Sequence, residues 1–223
     1  MSQEHNNKIE EYILDPDEPT NSFAVGYEYE LIGQYASAMG YYLKCAENTE
    51  SDLLAYECLM RKALCFRKLG GREAHVQINC QHAISLMPGR PEAYHLLSQS
   101  YEYGSHWMMS HMIARAGQKL NAERDPLVYD LDGMDLDYPG PFGLPFQEAV
   151  ALWWIGRFDE CIVAFKDLQK NYKLSKAYAG HVKWNIDNLE GRDADALAGI
   201  KKIKKGITNK DEVIKKILAE KKK

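Results

Sequence analysis

Apolar and small residues recur along this chain at helical spacing, in blocks that come back. One block runs Val25, Gly26 and Tyr29, then a Gly33-Gln34-Tyr35 turn, then Ala38, Tyr42 and Cys45. A second runs Leu97, Ser98 and Tyr101, then Ser105-His106-Trp107, then Ser110, Ala114 and Gly117. A third runs Gly156, Arg157, Phe158, Cys161 and Phe165. Steps of three and four place each set on one face of a helix. Recurrence at a period of roughly the mid-thirties or somewhat longer predicts stacked helical hairpins.

The punctuation between blocks predicts the hairpins one by one. A short helix is expected at Lys8–Leu14, before Asp15-Pro16 and Glu18-Pro19 break the pattern. Thr20, Asn21 or Ser22 is expected to cap the next helix, which runs to about Ile32, where Gly33 supplies the left-handed stop. Its partner spans Tyr35 to Glu47. The second pair is Ser51–Leu69 and Glu73–Met87, divided by Gly70-Gly71 and closed by Pro88, which cannot donate the next helical hydrogen bond. Pro91 opens the third pair in the first turn, where proline is welcome, giving Pro91–Tyr103 and His106–Leu120. Residues 121–145 hold four prolines and several glycines and predict a long irregular loop, a feature often tied to function. Helices at Phe146–Ile155 and Phe158–Asn171 follow, then a weaker pair at Ser175–Leu189 and Asp193–Lys205, and a last helix at Asp211–Lys222. The expected domains are an acidic lead-in at 1–18, a helical repeat domain at 19–205 and a basic capping helix at 206–223.

Charge sharpens this picture. The net charge is −4, yet residues 201–223 hold ten lysines against Asp211, Glu212 and Glu220, a local balance of +7 that leaves −11 for the remainder. Apolar residues make up 45% of the 223, enough for a continuous core. No stretch approaches the roughly 20 apolar residues needed to span a bilayer, and the polar first residues lack a secretory pattern. A cytoplasmic protein is expected (the host cytoplasm or a virion, for a viral chain). Five cysteines, an odd number with no Cys-x-x-Cys pair, fit neither a disulfide framework nor a zinc knuckle. They predict reduced thiols packed between helices.

These residues resemble tetratricopeptide repeats. Val25, Gly26, Tyr29, Gly33, Gln34, Tyr35, Ala38, Tyr42 and Cys45 match one copy of that motif. Gly71, Val76, Cys80, Ala83 and Pro88 match a second, and Tyr94, Leu97, Ser98, Tyr101, Ser110, Ala114 and Gly117 a third. The resemblance implies an all-α, right-handed superhelix of antiparallel helical hairpins. It also implies a concave face that binds a protein or peptide. The segment Arg90-Pro91-Glu92-Ala93-Tyr94 with Ser98, Tyr101, Glu102 and Trp107 is similar to repeat segments attached to bacterial and viral family-2 glycosyltransferases. Tyr138-Pro139 and the turn from Trp153 to Phe158 add to that likeness. Only about twenty residues precede the repeats here, too few for a catalytic domain. The second resemblance therefore implies an accessory module of a glycosylation system.

No enzyme, cofactor or metal site is expected. Asp130, Asp132, Asp135 and Asp137 have the spacing of a divalent-cation pair, but no alternating strand-helix pattern seats a nucleotide, and an acidic solvated loop is the plainer account. The histidines have no metal spacing and are expected at the surface or in the groove; no phosphate-binding or nucleophile motif occurs. Helical spacing turns Phe23, Tyr27, Glu30, Met60, Arg67, His95, Gln99, Glu102 and Trp153 toward the concave face, the expected partner-binding surface, with Phe146 and Val150 beside them. Phe23, Tyr27, Glu92 and Leu96 stand where a carboxylate clamp would need lysine and asparagine. The lysine-rich end carries no interleaved aromatic residue, so nucleic acid is not expected. Pairing of that end with the acidic body of another copy would give a homo-oligomer.

Overall fold

A computed structural model describes residues 3–123 and 134–191. Among the described residues there are ten helices and no strand. They are α1 (Gln3–Leu14), α2 (Pro19–Leu31), α3 (Tyr35–Asn48), α4 (Asp52–Leu69), α5 (Glu73–Leu86), α6 (Pro91–Tyr103), α7 (Trp107–Glu123), α8 (Gly143–Trp154), α9 (Phe158–Asn171) and α10 (176–191). The helices expected at Asp193–Lys205 and Asp211–Lys222 lie outside the described residues, as does the basic segment. The chain divides into two compact units, Met1–Ala164 and Phe165–Lys223.

In the first unit each helix packs on the next in sequence from α1 to α8, and α6 also packs on α8. Consecutive helices therefore form antiparallel hairpins, with α2, α4, α6 and α8 leading. Glycines with positive φ make most of the turns: Gly33 at 75°, Gly70 at 72°, Gly71 at 61° and Gly156 at 81°. The α6–α7 turn does the same with Ser105, at φ 60°. Ser51 caps α4 by accepting from the Leu54 amide at 3.3 Å. The cap of α2 differs from expectation. Pro19 occupies the first turn, and the Glu18 carboxylate accepts from the Thr20 amide at 3.2 Å and its hydroxyl at 2.8 Å. Thr20 thus lies inside the helix. Likewise α8 begins three residues earlier than the sequence suggests, because Pro145 falls in its first turn, where no amide is needed.

Small residues close the helix crossings. Gly26 of α2 lies under the Tyr42 ring of α3, and Gly117 of α7 lies against Tyr94 of α6 and Leu144 of α8. At the α6–α7 crossing Ser98 Oγ donates to the Ser110 carbonyl at 3.0 Å. All five cysteines are buried and free. Cys45 and Cys58 share a hydrogen bond between α3 and α4, which draws the Cys45 thiol below its ordinary range and lifts that of Cys58. A core of Tyr56, Leu59, Met60, Ala63, Val76, Cys80, Ala83 and Leu97 fills α4 to α6, and Leu136, which precedes α8, joins it. The α5–α6 turn is pinned from inside. Arg90, fully buried, donates to Glu92 at 2.6 Å, and the Tyr56 hydroxyl donates to Glu92 at 3.1 Å.

The second unit is smaller. Phe165, Leu168, Val182, Ile186 and Leu189 are its buried apolar residues among those described, and Lys166 pairs with Glu190 at 2.8 Å.

Candidate partner-binding face

The leading helices of the first unit carry most of the residues that the sequence turned inward, in two groups. In the first, Arg61 of α4 is the centre. Its guanidinium lies 4.7 Å from the Tyr27 ring centroid and 5.6 Å from that of Phe23. It pairs with Glu57 at 2.8 Å and Glu30 at 3.4 Å. Glu30 in turn accepts from the Tyr42 hydroxyl at 2.5 Å, and burial with that bond holds the Tyr42 phenol well above its ordinary range. Phe23, Tyr27 and Glu30 therefore form one cation–π and ion-pair cluster. Arg61, absent from the sequence-derived set, holds it together. The signal for it was the step of four from Glu57, which sets an acid and a base on one helix face.

The second group lies on α4 and α6. Arg67 donates to Gln99 at 3.1 Å, and Gln99 meets His95 at 3.4 Å. Glu102 accepts from the buried Gln147 of α8. The loop after residue 133 comes down onto this same surface. Asp137 pairs with Arg67, the Tyr138 ring meets His95 edge-on at 5.4 Å, and the Met134 sulfur accepts from Arg90 at 3.4 Å. Part of the inner face is thus occupied by the chain's own loop. Asp137 serves there as the counter-charge of Arg67. Asp130 and Asp132 lie outside the described residues, and among those described no group of three or more His, Cys, Asp or Glu could hold a metal ion.

Some placements differ from the sequence reading. Met60 is fully enclosed in the core, because α5 and α6 close over its turn of α4. His95 and His111, expected at the surface or in the groove, are both buried. Burial and the nearby Arg67 charge push the His95 pKa down to about 4, so the ring is neutral. His111 is also held below its ordinary value, mainly by burial, beside Glu148 and Arg157. Trp153 is half-buried and meets Phe158 edge-on at 6.0 Å. Its neighbour Trp154 is the open one, at 56% exposure, stacked on Trp107 with centroids 4.7 Å apart.

Beyond the loop the face opens into a cleft of about 510 Å³. Arg67 at the end of α4, the Gly70-Gly71 turn and Glu73 at the start of α5 line one side; α6 supplies Gln99, Ser100, Glu102 and Tyr103; Trp107 and Trp154 also line it. Arg67, Gln99 and Glu102 of the expected set meet here. Tyr103, Trp107 and Trp154 were missed. No helix among the described residues is long and apolar enough to cross a membrane.

Hairpins closed by small residues, with leading helices forming one face, define a tetratricopeptide-like helical repeat fold. Solved structures of MamA share it. One, MamA MSR-1 C2, is 16% identical with a TM-score of 0.52, covering 79% of this chain and 87% of its own. A crystal structure of MamA gives 15% and 0.57, covering 77% and 85%. A point mutant of MamA gives 17% and 0.53, covering 84% and 96%. At such identity the likeness is one of fold. No protein-family model and no curated protein matches the sequence.

Proposed function

We propose that this chain is a protein-interaction scaffold with no chemistry of its own, acting in the cytoplasm and holding a partner polypeptide on the inner face of its hairpins. The observation that carries the reading is the cleft. Three side chains turned inward by helical spacing, Arg67, Gln99 and Glu102, meet exposed aromatic rings there. A cavity of that size, mostly apolar with a few convergent polar groups, is the usual form of a recognition site. Aromatic residues and arginine are also the side chains on which binding energy concentrates.

The test is affinity capture from source extract with the full-length protein, against a Gln99→Ala/Trp154→Ala variant and a Met108→Ala/Met112→Ala control. Met108 and Met112 are exposed on α7, a second helix of a pair. A partner recovered by the parent and the control but lost by the cleft variant supports the reading. Equal recovery by all three moves the binding surface elsewhere.

The charge asymmetry favours a second reading, in which residues 201–223 of one copy engage the acidic body of another. Sedimentation across a concentration series at low and high salt tests it; salt-insensitive monomers reject it. The glycosylation role gains no support from the site geometry.

A further inference from the structure

The cleft holds a charge pattern that helix packing does not use. Glu73 and Glu102 both line it, and both are held by neutral donors. Ser100 Oγ donates to Glu73 at 2.9 Å, and Gln147 donates to Glu102. Among the described residues Arg67 is the one cation in the lining, and the Asp137 carboxylate already meets its charge. Among the described residues, therefore, no ion pair meets either carboxylate. Burial holds the Glu102 carboxyl above its ordinary value. The same cleft is rimmed by the Trp107–Trp154 stack and by Tyr103, which is 81% exposed.

Carboxylates beside open indole and phenol rings suit one side chain best. A guanidinium is planar and weakly hydrated; it can bond a carboxylate through paired N–H groups while its face lies on an aromatic ring. An ammonium is a compact, strongly hydrated charge and gains less from the rings. We propose that this cleft receives an arginine side chain from a segment of a partner protein, with Glu73 and Glu102 taking the guanidinium and the tryptophan stack covering it. The inference rests on the scaffold reading and specifies its partner. The chain's own basic end, residues 201–223, has ten lysines and no arginine, and so matches the cleft less well.

Fluorescence anisotropy with the full-length protein tests this. The probe is a fluorescein-labelled Gly-Ser-Gly-Arg-Gly-Arg-Ser-Gly peptide, with matched peptides carrying lysine or citrulline in place of arginine. An unlabelled peptide of residues 201–223 serves as competitor. The arginine peptide should bind, and citrulline should cost at least about tenfold through the lost charge-assisted bonds. Glu73→Gln and Glu102→Gln should each weaken binding by about tenfold or more, since glutamine keeps the shape and the local hydrogen bond but removes the charge. Trp154→Ala should weaken it about threefold to tenfold. Circular-dichroism melting shows that each variant is folded.

Equal binding of the arginine and citrulline peptides would overturn the proposal. So would unchanged affinity in the double glutamine variant, or tighter binding by the lysine peptide or by residues 201–223. If these arms fail while the captured partner still depends on Gln99 and Trp154, the arginine assignment falls alone. If capture is also indifferent to them, the scaffold reading falls with it.

Discussion

Gly117→Ala tests how the α6–α7 crossing is closed. A methyl group at this position would stand 2.5 Å from Tyr94 Cβ, 2.7 Å from Tyr94 Cγ and 3.0 Å from Leu144 Cδ1. Carbon atoms rest about 3.5–4.0 Å apart, so the methyl intrudes by about 1 Å on Tyr94. Tyr94 Cβ is fixed to the α6 backbone and no rotamer moves it. The helices must part, and Leu144 on α8 resists from the other side. Overpacking of this kind costs about 1–3 kcal/mol or more. Alanine returns about 1 kcal/mol of helix propensity over glycine. With the intrusion on two neighbours the upper figure applies, for a net loss of about 2 kcal/mol. That corresponds to a fall in Tm of roughly 4–8 °C in a chain of this size. Gly26→Ala is the internal control. Its methyl would meet only the Tyr42 ring at 3.0 Å and Tyr41 Cβ at 3.2 Å. That strain is about offset by the propensity gain, so Tm should move by less than about 2 °C. Melting followed at 222 nm decides the matter. An unchanged or higher Tm for Gly117→Ala, or an equal fall for both variants, would refute the claim that bare backbone at residue 117 sets the helix approach.

Two other outcomes follow from the interior. Arg90→Met leaves the buried Glu92 carboxylate without its cation and should cost about 3–5 kcal/mol, whereas Arg90→Met/Glu92→Gln should recover most of the loss; urea midpoints measure both, and a double variant no better than the single one contradicts the ion-pair account. His95, with its folded pKa lowered to about 4, stays neutral in the folded chain while the unfolded chain binds a proton at the ordinary value. Its contribution is complete above about pH 6.5 and fades as pH falls toward about 4, by about 2 kcal/mol between pH 7.5 and pH 5. His95→Gln should flatten that part of the stability profile, and an identical profile in parent and variant would show that the ring is not the group responsible.

The hairpins were legible because their determinants are local. A glycine at positive φ, as at Gly33 or Gly70, announces a turn from a single position. Pro91 announces a helix start, and a small residue every few positions announces a crossing. Helical spacing, with the repeat resemblance, set Arg67, Gln99 and Glu102 on one face, and all three line the cleft. The rest depended on partners distant in sequence. Asp137 and Arg67 lie 70 residues apart, and nothing in either neighbourhood names the other. Met60 has the spacing of an inward residue, but the approach of α5 and α6 encloses it. Trp153 and Trp154 are adjacent on a short apolar helix, where a shift of one residue turns the side chain by about 100°. Trp154, the exposed one, stacks on Trp107 of another helix, a pairing distant in sequence. The α2 cap was misassigned for a local reason: Pro19 can sit inside the first turn, which moves the cap back to Glu18.

The loop resting on Arg67 and His95 has a further consequence. Asp137 and Tyr138 meet Arg67 and His95 on the inner face and Leu136 enters the core, while the hairpins are locked by glycine and serine crossings elsewhere. Changing the exposed Asp137 or the Tyr138 ring, with Leu136 left in the core, would therefore re-contour what a visitor meets without unsettling the frame. Surface detail and architecture rest on different side chains of this one stretch, so selection can retune the former while leaving the latter untouched.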